Sequence, residues 1–306
     1  MKKILIFLII INLLSCKGQT NEKQLEVREG VSYKIGEEKP YTGKVFGFFE
    51  NGEVAAESNF IDGKRNGEAF LYRENGKIIG KANYLDGELN GERFVYSENG
   101  EIFSQSKWKN DERNGEEILY YNNGEISSRV NYLAGKIKGK STQYYENGKI
   151  KHITNWVNSE QNGEEIDYYE NGQVHNKINL LDGQLNGEYI QHYQTGQIKT
   201  TVNYLAGKKN GKSIDYYENG QVQYKKNWKD DSKNGKDVGY SESGQILYKT
   251  DWVNGNKNGE DIRYYGNGQI RFKGNYKDGK KNGQFINYLE SGEVLTKEYF
   301  KNGERY

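Results

Sequence analysis

The stretch Asn162-Gly163-Glu164-Glu165-Ile166-Asp167-Tyr168-Tyr169-Glu170-Asn171-Gly172 decides how this chain folds. Its two Gly residues belong to series that recur every 24 residues, one from Gly43 to Gly283 and one from Gly52 to Gly292, eleven members each without an insertion. A fixed period of this length marks a repeat array, in which one unit cannot bury its apolar side chains without a neighbour. The residue before the second series is Asn at eight of eleven positions, and Thr195, Ser243 or Ser291 at the others. Asn-Gly between two extended segments is a strong hairpin signal, and a type I′ turn with φ > 0 at both residues is expected there.

Upstream of each turn lies a segment such as Glu164 to Tyr169, and downstream one such as Gln173 to Leu180. A looser connection, Leu181 to Asn186, then leads to the next repeat. Ile166 and Tyr168 are two apart, as are Ile214 and Tyr216, and Ile262 and Tyr264. That period belongs to strands, not helices. Every repeat also has a β-branched aliphatic residue at the Val174 position, from Val54 to Val294. A large apolar residue follows at the Leu180 position, from Phe60 to Phe300, and the even offset predicts one shared face. The expected fold is all-β, an elongated single-layer antiparallel sheet of tandem hairpins. It would have about 22 strands, on the order of 100 Å long at ~4.8 Å per strand, as a twisted rod or an open solenoid.

Ahead of the array, Met1-Lys2-Lys3 is a basic start, and Ile4 to Leu14 is apolar except for Asn12. The run is too short for a membrane-spanning helix, which needs roughly 20 apolar residues, and it suits the core of a secretory signal. It ends in Leu13-Leu14-Ser15-Cys16, which resembles the bacterial lipobox, and Cys16 is the only Cys in the chain. The resemblance implies export, cleavage before Cys16 and lipidation of its thiol. The protein would then be membrane-anchored in the bacterial cell envelope, on the periplasmic side or at the cell surface, with more than one acyl chain for firm attachment. The expected division is residues 1–16 as signal peptide, 17–30 as polar tether and 31–306 as the array of about eleven repeats.

Composition narrows the function. The formal charge is +1, and loss of Lys2 and Lys3 with the leader makes it −1. With no basic excess to neutralise phosphates, nucleic acid is not an expected partner. The lone Cys cannot form an intrachain disulfide. Low hydrophobic content with 38 Gly would suggest disorder, but 26 Tyr, 11 Phe and 4 Trp on a strict period oppose it.

Three His residues are the candidates for acid–base or metal chemistry. His152 and His175 fall at adjacent positions of their repeats, so alternation predicts opposite faces. His192 stands where other repeats have Tyr168 or Tyr216. No metal site and no cofactor is therefore expected. Paired carboxylates such as Glu116-Glu117 and Glu164-Glu165 should point to opposite faces and cannot converge on one substrate atom. No catalytic residue is assigned, and the chain is not expected to be an enzyme. Glu74, Glu98, Glu146, Glu170, Glu218, Glu242 and Glu290 line the turn tips as a solvated edge.

The doubled Tyr residues carry the strongest claim to a surface. One ladder serves packing, while Tyr121, Tyr145, Tyr169, Tyr193, Tyr217 and Tyr265 would lie on the more polar face. Regular exposed aromatics could stack on sugars or on a partner protein. The plainer reading, that cross-strand aromatics stabilise the sheet, is preferred.

Segments of the form Asn-Gly-Glu-x-x-x-Tyr-Tyr-x-Asn-Gly, best seen at 162–172 and, with Lys212 for Glu, at 210–220, resemble the bacterial variant of the MORN (membrane occupation and recognition nexus) repeat. Lys39-Pro40-Tyr41-Thr42-Gly43-Lys44 is similar to the start of such arrays, and the resemblance spans about residues 31–306. It implies an antiparallel sheet used to bind proteins or lipid surfaces. Many relatives are labelled antitoxin components, yet a neutraliser of a cytosolic toxin must stay in the cytosol, whereas Met1 to Cys16 directs export. The leading expectation is a lipid-anchored envelope scaffold for an unknown protein partner. The alternatives are a glycan- or peptidoglycan-binding module using the Tyr ladder, and an antitoxin-type binding protein.

Overall fold

The computed structural model describes residues 21–306, so the expected signal peptide and Cys16 lie outside the described residues. The chain divides into two compact units, one ending at Lys136 and one running from Ile137 to Tyr306. The first begins with a 3-10 turn, Asn21–Gln24, and a hairpin of Leu25–Arg28 with Val31–Lys34. Glu29 and Gly30 make its turn with φ of 49° and 79°. The boundary expected between residues 30 and 31 therefore falls inside a hairpin, because Val27 and Val31 sit on paired strands rather than on a tether.

The rest of the first unit is an antiparallel meander from Gly43–Phe48 and Val54–Ile61 to Glu112–Tyr120 and Ile126–Leu133. The second unit repeats the pattern from Gly139–Tyr144 and Ile150–Val157 to Val294–Lys301, with a last short strand Glu304–Arg305. In neither unit do the first and last strands pair with each other, so each ladder is open.

Two features differ from the reading of the sequence. The first is which hairpin is tight. At Asn171-Gly172 only Gly172 has a positive φ, 93°. Gly172 N–H donates to Tyr169 O at 2.8 Å and Tyr169 N–H to Gln173 O at 2.8 Å, a three-residue loop with Gly in the left-handed position. Asn recurs there for its side chain, since Asn171 Oδ1 accepts from Gln173 N–H at 2.9 Å. The two-residue turn with both φ positive lies in the segment expected to be loose. Asp182 and Gly183 have φ of 50° and 72°, and Leu181 pairs with Gln184 across them. The array keeps the expected pair of strands per repeat. The count of 29 segments arises because four strands are interrupted, at 138, 162, 186 and 234, and because the N-terminal hairpin and the last short strand are added.

The second difference is a β-bulge in every repeat. Asp167 pairs with Asn176 but Tyr168 pairs with Val174, which leaves His175 extra. One additional residue inverts the alternation beyond it. Val174 thus shares a face with Tyr168 and Ile166, while Leu180 lies on the opposite face with Glu165 and Asp167. The shared face predicted for the Val174 and Leu180 positions is overturned by that residue.

The buried side chains fall on the Leu180 face, apart from Ser32 and Thr142. They include Val45, Val202, Phe285 and Phe300 together with polar ones, among them Ser106, Thr154, Asp237, Thr250 and Asp261. Burial of indole and phenol requires acceptors beside them. Trp156 Nε1 donates to Ser141 Oγ and Trp228 Nε1 to Ser213 Oγ, each at 2.8 Å, and Tyr248 Oη donates to Asp237 Oδ1 at 3.0 Å.

Candidate functional site

The predicted Tyr ladder is half-buried and internally hydrogen-bonded. The hydroxyls of Tyr145, Tyr169, Tyr193, Tyr217 and Tyr265 each donate to the backbone carbonyl 23 residues further on, at 2.6 to 2.9 Å. Tyr121 is likewise half-buried and has a partner. Arg73 occupies the same position and reaches Tyr96 O at 3.5 Å. The bulged residue covers the ring: His175 packs on Tyr169 with centroids 4.3 Å apart, and Lys151 and Lys199 lie over Tyr145 and Tyr193. Beside Tyr145, Tyr169, Tyr217 and Tyr265 the turn Asn repeats the link, as Asn171 Nδ2 donates to Gln194 O at 3.0 Å. The ladder therefore joins one repeat to the next through side chain to main chain. The turn-tip carboxylates Glu74, Glu98, Glu146, Glu170, Glu218, Glu242 and Glu290 are all exposed.

A row that the sequence reading missed lies at the second hairpins. The residue before each two-residue turn is aliphatic in most repeats: Ile61, Leu85 and Leu133 in the first unit, Val157, Leu181, Leu205 and Val253 in the second. Val157, Leu181 and Leu205 stand in three successive repeats and are 54, 50 and 58% exposed. The signal was available as a second aliphatic position on the 24-residue period, next to the Leu180 position. Read through simple alternation it was indistinguishable from core.

The buried face carries ion pairs. Arg113 pairs with Glu117 at 3.1 Å, Lys233 with Asp237 at 2.6 Å and Lys257 with Asp261 at 2.5 Å, each basic residue four before its acid. Lys226 pairs with Asp215 at 2.9 Å. Most of these cations also lie over the ring of an aromatic on that face, as Lys233 does over Trp252 and Lys257 over Tyr276. One carboxylate group is arranged differently. His152 Nδ1 is 2.7 Å from Asp167 Oδ1, its Nε2 is 3.8 Å from Glu165 Oε1, and the Thr154 hydroxyl lies against Nε2.

The hydrogen bond to Asp167 holds the His152 imidazole above its usual range, against the opposing effect of burial. The same bond holds Asp167 below the usual carboxylate range, while burial raises Glu165. Strand pairing of His152 with Asp167 creates this cluster. His152 and His175 do differ in setting, but the expected opposition of His175 left out the carboxylates of the neighbouring strand. Their register depends on the bulges and turns. His192 remains on the Tyr168 position, in the last residue of its strand. Glu164 pairs with Lys177 at 2.5 Å while Glu165 faces His152, so this adjacent pair diverges as expected.

In the first unit, Val45, Ala56, Ala69, Ala82 and Arg93 line a cavity of about 120 Å³. Other repeats fill the Ala56 position with Tyr224, Tyr248 or Phe272 and the Val45 and Ala69 position with Tyr189 or Phe285, so the small side chains here leave that space.

Fold and site together define a tandem β-hairpin repeat protein whose side chains mainly bind each repeat to the next. The chain belongs to the MORN repeat variant family, whose pattern matches residues 41–62, 65–86, 89–110, 113–134, 137–158, 161–182, 185–206, 209–230 and 257–278. No curated protein matches it. Among solved structures, TcdB2-TccC3-Cdc42 is similar at 11% identity over 88% of this chain and 19% of that one, with a TM-score of 0.18. The Photorhabdus luminescens Tc holotoxin pore with a mutant TccC3 is similar at 14% identity over 89% of this chain and 16% of that one, with a TM-score of 0.19. The chain thus spans less than a fifth of the length of either.

Proposed function

We propose that this repeat scaffold is lipid-anchored in the cell envelope and presents an apolar row to a protein partner. The observation that carries the reading is the row of Val157, Leu181 and Leu205, each about half exposed at the same position of consecutive repeats. Scattered surface aliphatics are ordinary, but a regular row of them is a recognition feature. Two strands per repeat space its members roughly 10 Å apart. A partner would meet them with matching apolar side chains, and the flanking turns would supply polar contacts.

The test is crosslinking in the native envelope with mass-spectrometric identification, comparing wild type with Val157→Lys/Leu181→Lys/Leu205→Lys. Loss of a captured protein with an unchanged circular dichroism spectrum supports the reading, and equal capture removes it. The anchor is tested separately, by palmitate label incorporated into wild type and absent from Cys16→Ala. Label in neither would return the antitoxin-type reading, which needs a cytosolic protein.

A further inference from the structure

We propose that His152, Glu165 and Asp167 bind one first-row divalent metal ion of the Zn²⁺ or Co²⁺ type. The inference is independent of the scaffold reading and rests on charge and geometry. Each residue offers one ligand atom, and the three atoms lie within 4.8 Å of one another. Metal–ligand distances of about 2.0–2.2 Å require pair separations of roughly 3–4 Å. His152 Nε2 and Glu165 Oε1, 3.8 Å apart, already meet this. Asp167, the most exposed of the three at 42%, bonds His152 Nδ1 and would give up that bond to join an ion held at Nε2. One imidazole with two carboxylates is a borderline donor set, suited to Zn²⁺ and its neighbours rather than to all-oxygen ions.

The repeats supply an internal comparison. Glu117, Asp215, Asp237 and Asp261 each hold a Lys or Arg partner on the buried face. Two positions provide those cations, occupied by Arg113, Lys233 and Lys257 in one case and Lys226 in the other. Around Glu165 and Asp167 the same two positions, four before Glu165 and eleven after Asp167, hold Gln161 and Ile178, which are neutral. Glu165 and Asp167 are thus two carboxylates together where each of the others is matched by a Lys or Arg, and they have only an imidazole beside them. A doubly charged ion balances two carboxylates with a neutral imidazole. At the His152 position the other repeats carry residues such as Ala56, Gly80, Ser104, Asn176 and Thr200, and none has His. Repeat packing alone therefore does not call for this trio.

The experiment takes the purified chain, strips it with chelator, and titrates Zn²⁺ by calorimetry and Co²⁺ by visible absorption. The variants are His152→Ala, Glu165→Gln, Asp167→Asn and the control Asp215→Asn. The expected result is one ion per chain, with affinity lowered at least about tenfold in each of the first three and unchanged in the control. Zn²⁺ should also raise the melting temperature of wild type but not of Glu165→Gln, an isosteric change that keeps the packing. Wild-type binding below half an ion per chain, or equal binding by His152→Ala, overturns the proposal. Should His152→Ala fail to fold by circular dichroism, the Glu165→Gln comparison decides alone.

Discussion

The hydroxyl of Tyr169 donates to the carbonyl oxygen of His192 at 2.9 Å, so one repeat's turn aromatic closes the last strand residue of the next. Tyr145 and Tyr168, Tyr193 and Tyr216, and Tyr217 and Tyr240 stand in the same relation. A repeat that cannot fold alone gains stability through such links between neighbours.

Tyr169→Phe removes that bond and leaves the ring in place. A neutral hydrogen bond contributes about 1 kcal/mol net, so urea unfolding should show a loss of that order. The triple change Tyr145→Phe/Tyr169→Phe/Tyr217→Phe should lose more than one such bond while retention on wall material stays as it was. Reduced retention with unchanged stability would favour the glycan reading instead.

The turn residue Asp231 has a φ of 64°, at a position where most other repeats use Gly and only Asp111 and Ser159 share its departure. Its Oδ1 accepts from Lys209 N–H at 2.8 Å, and its own N–H donates to Lys209 O at 3.0 Å. Asp231→Ala keeps the unfavourable backbone and loses the side-chain acceptor, at a cost of about 1–2 kcal/mol. Asp231→Gly relieves the backbone and should cost less. Melting temperatures that rank the two variants in the opposite order would contradict this account.

Asp261 is 1% exposed and bonds Lys257 Nζ at 2.5 Å and Thr250 Oγ1 at 3.2 Å. Lys257→Met should destabilise the chain by roughly 2 kcal/mol, since a buried carboxylate loses its main partner. Lys257→Met/Asp261→Leu should recover part of that loss, because the Phe285 repeat fills the Asp261 position with an apolar side chain. Denaturant midpoints of the single and double variants check both statements.

In metal-free protein, stability should fall as pH rises above the ordinary imidazole value of about 6.5. The His152 value is raised, chiefly by Asp167, with Glu165 adding to it and burial and Lys151 opposing it. Its contribution is complete below the unfolded value and disappears as pH rises through the folded one. Asp167, lowered, contributes above about pH 3.9 and loses that contribution as pH falls through its folded value. Glu165 is raised by burial, so its ionisation opposes folding as pH increases past its ordinary range. Urea midpoints measured in chelator from pH 5 to 9 (about two units each side of neutral) should decline for wild type and flatten on the alkaline side for His152→Gln.

The sequence by itself determined the repeat length, the hairpin unit and the all-β class, because Gly at two fixed positions and period-2 alternation follow from local backbone geometry. It also isolated the positions of the Tyr ladder, though not the use of their hydroxyls. Only the tertiary structure decided which hairpin is the two-residue one and which face each row occupies. One bulged residue, His175 in its repeat, inverts the alternation, and no local propensity announces it. The exposed row of Val157, Leu181 and Leu205 and the meeting of His152 with Glu165 and Asp167 follow from that register. They depend on pairing between strands, which period and composition leave open.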